Sequence, residues 1–358
     1  MMKNVCLSVL MALTLVSSAQ AWTHWDQFKS SHFAAGRVID FNDERLITTS
    51  EGQSYALFFA LVANDRATFD AMLGWTEKHL ANGSLSKHLP AWLWGQSGET
   101  GAVIDSNNAV DSDMWIAYVL LEAGRLWNDD RYSKKGQALL KLLKSQVRYV
   151  NGIGQVLLPG RVGFEKDETI TLNTSYYPLM LLRRFAVEDA YWQSVFDGCL
   201  RATLRSAPNG YAPDWVTFDK DGHITKTSDA VGSYNAIRVY LWAGMMSSKD
   251  PVREILKNHF APMVRSTERF NVAVEKVDVN TAQANDSGSL GFAASVLPLM
   301  DQGKSAELIR TYLMNAPIIK DNYYGNVLTL FGLGFDQKYF AFDQNGYVYF
   351  PNHQRKVK

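Results

Sequence analysis

Asp113-Met-Trp-Ile-Ala-Tyr-Val-Leu-Leu-Glu-Ala123 is the stretch that decides how this sequence folds. As a helix it carries apolar side chains on nearly every side, and a helix without a wet face is buried inside a larger assembly. Five further stretches share this property. They begin near Gln53 (QSYALFFALV), Ser175 (SYYPLMLL), Tyr234 (YNAIRVYLWAGMM), Gly291 (GFAASVLPLM) and Tyr323 (YYGNVLTLFG). Between them lie segments with a single apolar stripe. Phe69, Met72, Leu73, Thr76 and Leu80 follow the i, i+3, i+4, i+7 spacing of a surface helix, as do Trp192, Val195, Phe196, Cys199, Thr203 and Leu204. Four more such helices are expected at His24 to Ala34, Tyr132 to Ser145, Val252 to Met263 and Ser305 to Met314.

Buried and half-buried helices thus alternate, with a unit of roughly sixty residues over most of the chain, as in a repeated helical hairpin whose units cover one another's faces. The expected architecture is all-α, an (α/α)6 barrel of six inner and six outer helices, with an open helical solenoid as the alternative. The short last intervals and the lack of a polar capping repeat favour closure. Function is expected in the loops at one end of the ring, Leu89 to Asn108, Leu158 to Thr174, Pro208 to Val231 and Glu275 to Ser289.

The N-terminus bears on compartment. Lys3, the short apolar run Val5 to Val16 and Ala19-Gln20-Ala21 form the pattern of a cleaved secretory signal, so 1–21 is expected to be removed and 22–358 to form one domain. A membrane span is the competing reading, but the run is shorter than the roughly 20 residues a bilayer requires. A periplasmic or secreted protein without membrane insertion follows. Cleavage removes Cys6 and leaves Cys199 alone, so no internal disulfide is expected. Formal net charge is zero and no basic run is interleaved with aromatics, which argues against nucleic acid. The histidines are dispersed, with no HExxH pair, no GxSxG elbow and no phosphate-binding glycine loop, so no metal or cofactor is expected.

Two acidic clusters precede buried helices. Glu51, in TTSEGQSY from Thr48 to Tyr55, has a bland explanation as a favourable charge at a helix N-terminus. Asp105, Asp111 and Asp113 are too many for one cap, and the cluster lacks the glycine and glutamate of an EF-hand loop, which leaves recognition of sugar hydroxyls. Ten Trp and sixteen Tyr supply either core packing or stacking platforms for sugar rings.

SEGQSY, PAWLWG from Pro90 to Gly95, the DSN...DxDxWxA...LLEAGRLW stretch, and SYxAIRVYxW from Ser233 to Trp242 together resemble glycoside hydrolase family 8 over essentially the whole mature chain. APDWV from Ala212, EKVDV from Glu275 and VLTLFG from Val327 point to the endo-1,4-β-glucanase branch encoded with bacterial cellulose synthases. The resemblance implies inverting hydrolysis of β-1,4-glucan, with the cellulose synthase or export complex as a further partner. It makes Glu51 the general acid and Asp111 the carboxylate that holds the sugar in the cleavage subsite. Trp92, Trp94, Asp105, Trp115, Tyr176, Trp215 and Arg238 are candidates for substrate contact, with stacking expected of two of the four tryptophans. Arg238 stands one helical turn after Asn235, where it either orients that residue or forms a buried supporting ion pair.

The general base of the family is the aspartate of SYDAIR, and here that position is Asn235. An amide accepts a hydrogen bond but has no useful basicity near neutral pH. Three readings remain open: a base relocated to Asp229, with Asp214 or Asp278 behind it; a slow enzyme; or a glucan-binding protein that kept the groove and lost the chemistry. Val110, Ser112 and Asn326 are smaller departures from the family pattern.

Overall fold

The computed structural model describes residues 22–98, 100–227 and 230–354, so the expected signal segment 1–21 and Asp229 lie outside the described residues. Thirteen helices build the frame among the described residues. They are α1 (Thr23–His32), α2 (Ser50–Val62), α3 (Arg66–Leu80), α4 (Val110–Trp127), α5 (Asp130–Leu143), α6 (Leu179–Glu188), α7 (Tyr191–Arg205), α8 (Ile237–Met245), α9 (Pro251–His259), α10 (Ala261–Phe270), α11 (Leu290–Val296), α12 (Lys304–Asn315) and α13 (Tyr323–Asp336). The six expected inner helices are α2, α4, α6, α8, α11 and α13, and they are buried along almost their whole length. The outer stripes also fall as read: Phe69, Met72, Leu73, Thr76 and Leu80 are the buried residues of α3.

The ring closes. Phe59 of α2 packs on Phe331 of α13 with ring centroids 4.6 Å apart, joining the first inner helix to the last. Its interior is filled, not hollow: Trp115 lies 5.5 Å from Trp242 and 5.3 Å from Phe331, bringing α4, α8 and α13 together. The far end of the ring is sealed by the C-terminal segment. Tyr118 donates to the Gly346 carbonyl at 2.8 Å, and the fully buried Glu122 takes Val348 N–H at 3.1 Å and Arg184 Nε at 2.8 Å. Function is therefore left to the end where the inner helices begin.

Three differences from expectation have local causes. Helix α6 starts at Leu179, after a single 3-10 turn Thr174–Tyr176, because Pro178 allows a helix after it but not through it. Helix α8 starts at Ile237, because Asp214 Oδ1 accepts the backbone N–H groups of Ser233, Asn235 and Ala236 at 2.8 to 3.0 Å and holds 233–236 as a turn. The expected helix from Val252 to Met263 is two helices, α9 and α10, the second with Pro262 near its start. The loops at the open end are not irregular either. They carry short antiparallel strands, including Leu93–Ser97 with Thr100–Asp105, Thr169–Leu172 with Val216–Asp219, and Val274–Asp278 with Ala284–Ser287.

Candidate active site

Because each outer helix returns the chain, the inner helices all begin at the same end, and their first turns converge. Thr49 caps α2 by accepting Gly52 N–H at 3.0 Å, so Glu51 is not the cap and its side chain is free to project from the first turn. Asp111 lies in the first turn of α4, Tyr176 in the turn before α6 and Asn235 in the turn before α8. Arg238, inside α8, ties them together. One terminal nitrogen, Nη1, donates to Glu51 Oε2, to Asp111 Oδ2 at 3.1 Å and to the Tyr55 hydroxyl at 3.0 Å; the other, Nη2, donates to Asn235 Oδ1 at 3.1 Å. The guanidinium also lies over the Tyr176 ring, 5.4 Å from its centre.

Electrostatics follow from this burial. The Arg238 side chain is 4% exposed and that of Asp111 is 3% exposed, whereas that of Glu51 is 23% exposed. Burial pushes the Asp111 carboxyl up to about 6, Glu51 adds to the rise, and Arg238 opposes it. Burial also works against the charge of Arg238, but Tyr55, Tyr324, Glu51 and Asp111 outweigh it and keep the guanidinium charged. Asp113, two residues further along the same first turn, is fully buried and its carboxyl is pushed well up by desolvation; Asn108 donates to its Oδ2 at 2.6 Å. The three aspartates of the cluster thus divide into an exposed Asp105, an ion-paired Asp111 and a fully buried Asp113 held by Asn108.

Glu51 and the residue at 235 thus hydrogen-bond to different terminal nitrogens of one guanidinium. The model of glycosyl hydrolases family 8 matches residues 1–338. The chain belongs to glycosyl hydrolase family 8. It is 45% identical over 343 residues to an endoglucanase of Escherichia coli K12, covering 94% of this chain and 93% of that protein, and 40% identical to one from Xanthomonas axonopodis, with 94% and 90% covered. Among solved structures, the endo-1,4-D-glucanase from Vibrio fischeri superimposes with a TM-score of 0.87 at 44% identity over 92% of this chain and 99% of that one. A family 8 endoglucanase from Klebsiella pneumoniae gives 0.74 at 27% identity, over 88% and 99%.

In this family 8 hydrolase the aromatic candidates divide by burial. Trp115 has no exposed surface and fills the barrel centre against Tyr55, Phe58 and Trp242, so it cannot stack on a sugar. Trp94 is also withdrawn, 7% exposed, with the Arg37 guanidinium 4.6 Å over its ring and Trp75 at its edge. These two are packing residues; an aromatic residue beside an acidic cluster need not face the cleft. Trp92 and Trp215 remain half-buried. The Trp92 backbone anchors the start of α2 by accepting Ser50 N–H at 2.9 Å, and its side chain bonds to Asp105, whose carboxyl is held below its usual range by Trp92 and by Asn107 N–H. Trp215 lies parallel to Phe164 at 5.8 Å and edge-on to Tyr176 at 6.1 Å, forming an aromatic run that ends at Arg238.

The other proposed bases are held in turns. Asp214 spends Oδ1 on the three N–H groups before α8, and Asp278 Oδ1 accepts Asn280 and Thr281 N–H in its own turn. Cys199 is buried and its thiol is pushed up to about 12 by desolvation, which makes it an inert filler. Asn326, the family departure on α13, is structural: it donates to the Ile319 carbonyl at 2.7 Å and meets His32 of α1 at 3.0 Å. Asp219, Asp221 and His223 bring ligand atoms within 4.8 Å of one another, on a hairpin turn where Asp219 Oδ1 already accepts two backbone N–H groups. Asn173 and Tyr324 escaped notice in the sequence. Asn173 donates to Asn235 Oδ1 at 3.0 Å, and Tyr324 donates to the Tyr234 carbonyl at 2.6 Å.

Proposed function

We propose that this chain is an inverting endo-1,4-β-glucanase whose turnover is slowed by the amide at position 235. Glu51 protonates the departing glycosidic oxygen, Asp111 holds the sugar of the cleavage subsite, and the attacking water passes its proton to solvent water instead of to a carboxylate at 235. The observation that carries this reading is the single guanidinium of Arg238 joining Glu51, Asp111 and Asn235 at the open end of the barrel. General base assistance is typically worth 10² to 10⁴-fold, so its loss slows hydrolysis without abolishing it. The names of the endoglucanase relatives support the substrate class.

Residues 1–21 act as a cleaved leader, so the enzyme works in the periplasm or outside the cell, on cellulose as it is made beside the synthase. Among the described residues no helix is long and apolar enough to cross a membrane. The test is hydrolysis of carboxymethylcellulose and cellohexaose by the mature protein. Slow activity should vanish in Glu51→Gln and rise about 10² to 10⁴-fold in Asn235→Asp. Fast wild-type hydrolysis that falls in Asn235→Asp would sink this reading and place the base elsewhere.

A second reading is favoured by one observation. The Asn235 oxygen is already engaged by Arg238 and Asn173, which suits a groove that binds glucan and no longer cuts it. Calorimetry with cellohexaose decides: binding without any turnover supports a glucan-binding component, and turnover removes it.

A further inference from the structure

The amide at position 235 is oriented by a chain of hydrogen bonds that begins two residues before Ser175. Asn173 is buried, and its Oδ1 accepts the Ser175 backbone N–H at 3.0 Å and the Ser175 hydroxyl at 2.6 Å. Its Nδ2 is thereby turned away and donates to Asn235 Oδ1 at 3.0 Å. Arg238 Nη2, which has only protons to offer, donates to the same oxygen at 3.1 Å. Rotating the Asn235 amide by half a turn would set its NH2 against two donors, and rotating Asn173 would set its NH2 against the Ser175 backbone N–H. Each orientation is therefore fixed by its neighbours. The Asn235 carbonyl is occupied, and its NH2 has no protein partner among the described residues.

We propose that Asn173 is a positioning residue: with Arg238 it locks Asn235 so that the NH2 faces the cleft, and position 235 donates a hydrogen bond to an oxygen of the bound glucan instead of accepting a proton from water. This rests on the glucan reading above and sharpens it. It explains how an amide keeps the groove serviceable for binding while removing the acceptor that inverting attack requires. The same two donors would hold a carboxylate at 235 in its ionised form, the state a general base needs. The charged and titratable groups around this point are Arg238 of α8, Glu51 from α2, Asp111 from α4, Tyr176 before α6, Tyr324 from α13, and Asp214, which accepts the Asn235 backbone N–H.

Two NMR measurements test the lock without depending on turnover, with cellohexaose as the probe. In the wild type, the side-chain NH2 signal of Asn235, identified by its loss in Asn235→Asp, is expected to exchange freely with water and to shift and become protected when cellohexaose binds. In Asn235→Asp, the carboxyl-carbon shift of the new side chain reports its titration. Adding Asn173→Ala removes one charge-assisted donor and should raise that titration by about one pH unit. Adding Asn173→Asp keeps the oxygen that holds Ser175 but sets a second carboxylate opposite, and should raise it further. A titration unmoved in both folded double variants overturns the positioning role, and so does an Asn235 signal indifferent to bound cellohexaose. If the wild type binds no cellohexaose at all, the glucan reading fails and takes this proposal with it; intact binding with an unmoved titration fails the lock alone.

Discussion

Arg238 of α8 reaches across the open end of the barrel to Asp111 of α4, with Nη1 3.1 Å from Oδ2 and both side chains almost wholly excluded from water. The same nitrogen serves Glu51, so one cation balances two carboxylates that would otherwise face each other.

Removing that cation should be costly in both stability and chemistry. Arg238→Met leaves Asp111 buried without its partner, and breaking such a buried pair typically costs about 3 to 5 kcal/mol. Arg238→Lys keeps the charge but not the planar fork that serves Nη1 and Nη2 acceptors together, so it should lose less stability and still lose most hydrolysis. Urea unfolding and cellohexaose hydrolysis check this pair. A methionine variant as stable as the wild type would show that the ion pair is dispensable to the fold.

The Asp111 carboxyl, pushed up to about 6, makes the stability of the fold depend on pH in a definite direction. The unfolded carboxyl loses its proton near 4, while the folded one keeps it until about 6. Between these values the folded state binds more protons than the unfolded state, so this group's contribution falls as pH rises through that window. Asp111→Asn lacks the effect. The melting temperature of the variant minus that of the wild type should therefore increase from pH 4 to pH 6.5, and a difference that is flat or falls with pH would contradict the assigned burial.

Much of this was legible from the sequence because burial on every side of a helix leaves a composition no surface helix has. The six inner helices and the α3 stripe were readable for that reason. The same uniformity hid the orientation of Trp115: a helix apolar all round has no periodicity to say which face meets the cleft and which the core. The strands at the open end were not legible, since Thr100–Asp105 is exposed throughout and has no alternation of burial to betray it. Asn173 left one faint signal, an Asn two residues before a Ser at a helix entry, which is the spacing of a side-chain-capped turn. Its contact with Asn235, 62 residues away, has no sequence signature.

The division of the tryptophans makes a paired prediction. Trp215→Ala removes a half-buried ring from the run Phe164, Trp215, Tyr176 and should weaken cellohexaose binding by about 1 to 3 kcal/mol, with a small change in melting temperature. Trp115→Ala empties the barrel centre and should cost about 3 to 5 kcal/mol of stability. Calorimetric titration and urea unfolding separate the two. Equal losses of binding and stability in both variants would mean that Trp215 is also a packing residue.

Two helical glycines should respond oppositely to the same added methyl group. Gly332 of α13 faces α11 so closely that a Cβ would fall 1.9 Å from the Ala294 carbonyl oxygen, a backbone atom that cannot rotate aside. Gly291 and Gly325 repeat the close approach between the same two helices, where a Cβ on the first would lie 2.7 Å from the Cα of the second. Gly332→Ala must push these inner helices apart and should cost about 1 to 3 kcal/mol. Gly74, exposed within α3, has nothing within 4 Å of the position a Cβ would take. There alanine meets no obstacle and restricts the unfolded chain, so Gly74→Ala should gain about 0.5 to 1 kcal/mol. Urea unfolding of the two single variants measures both signs, and a neutral Gly332→Ala would mean that α11 and α13 are less tightly opposed than a 1.9 Å approach requires.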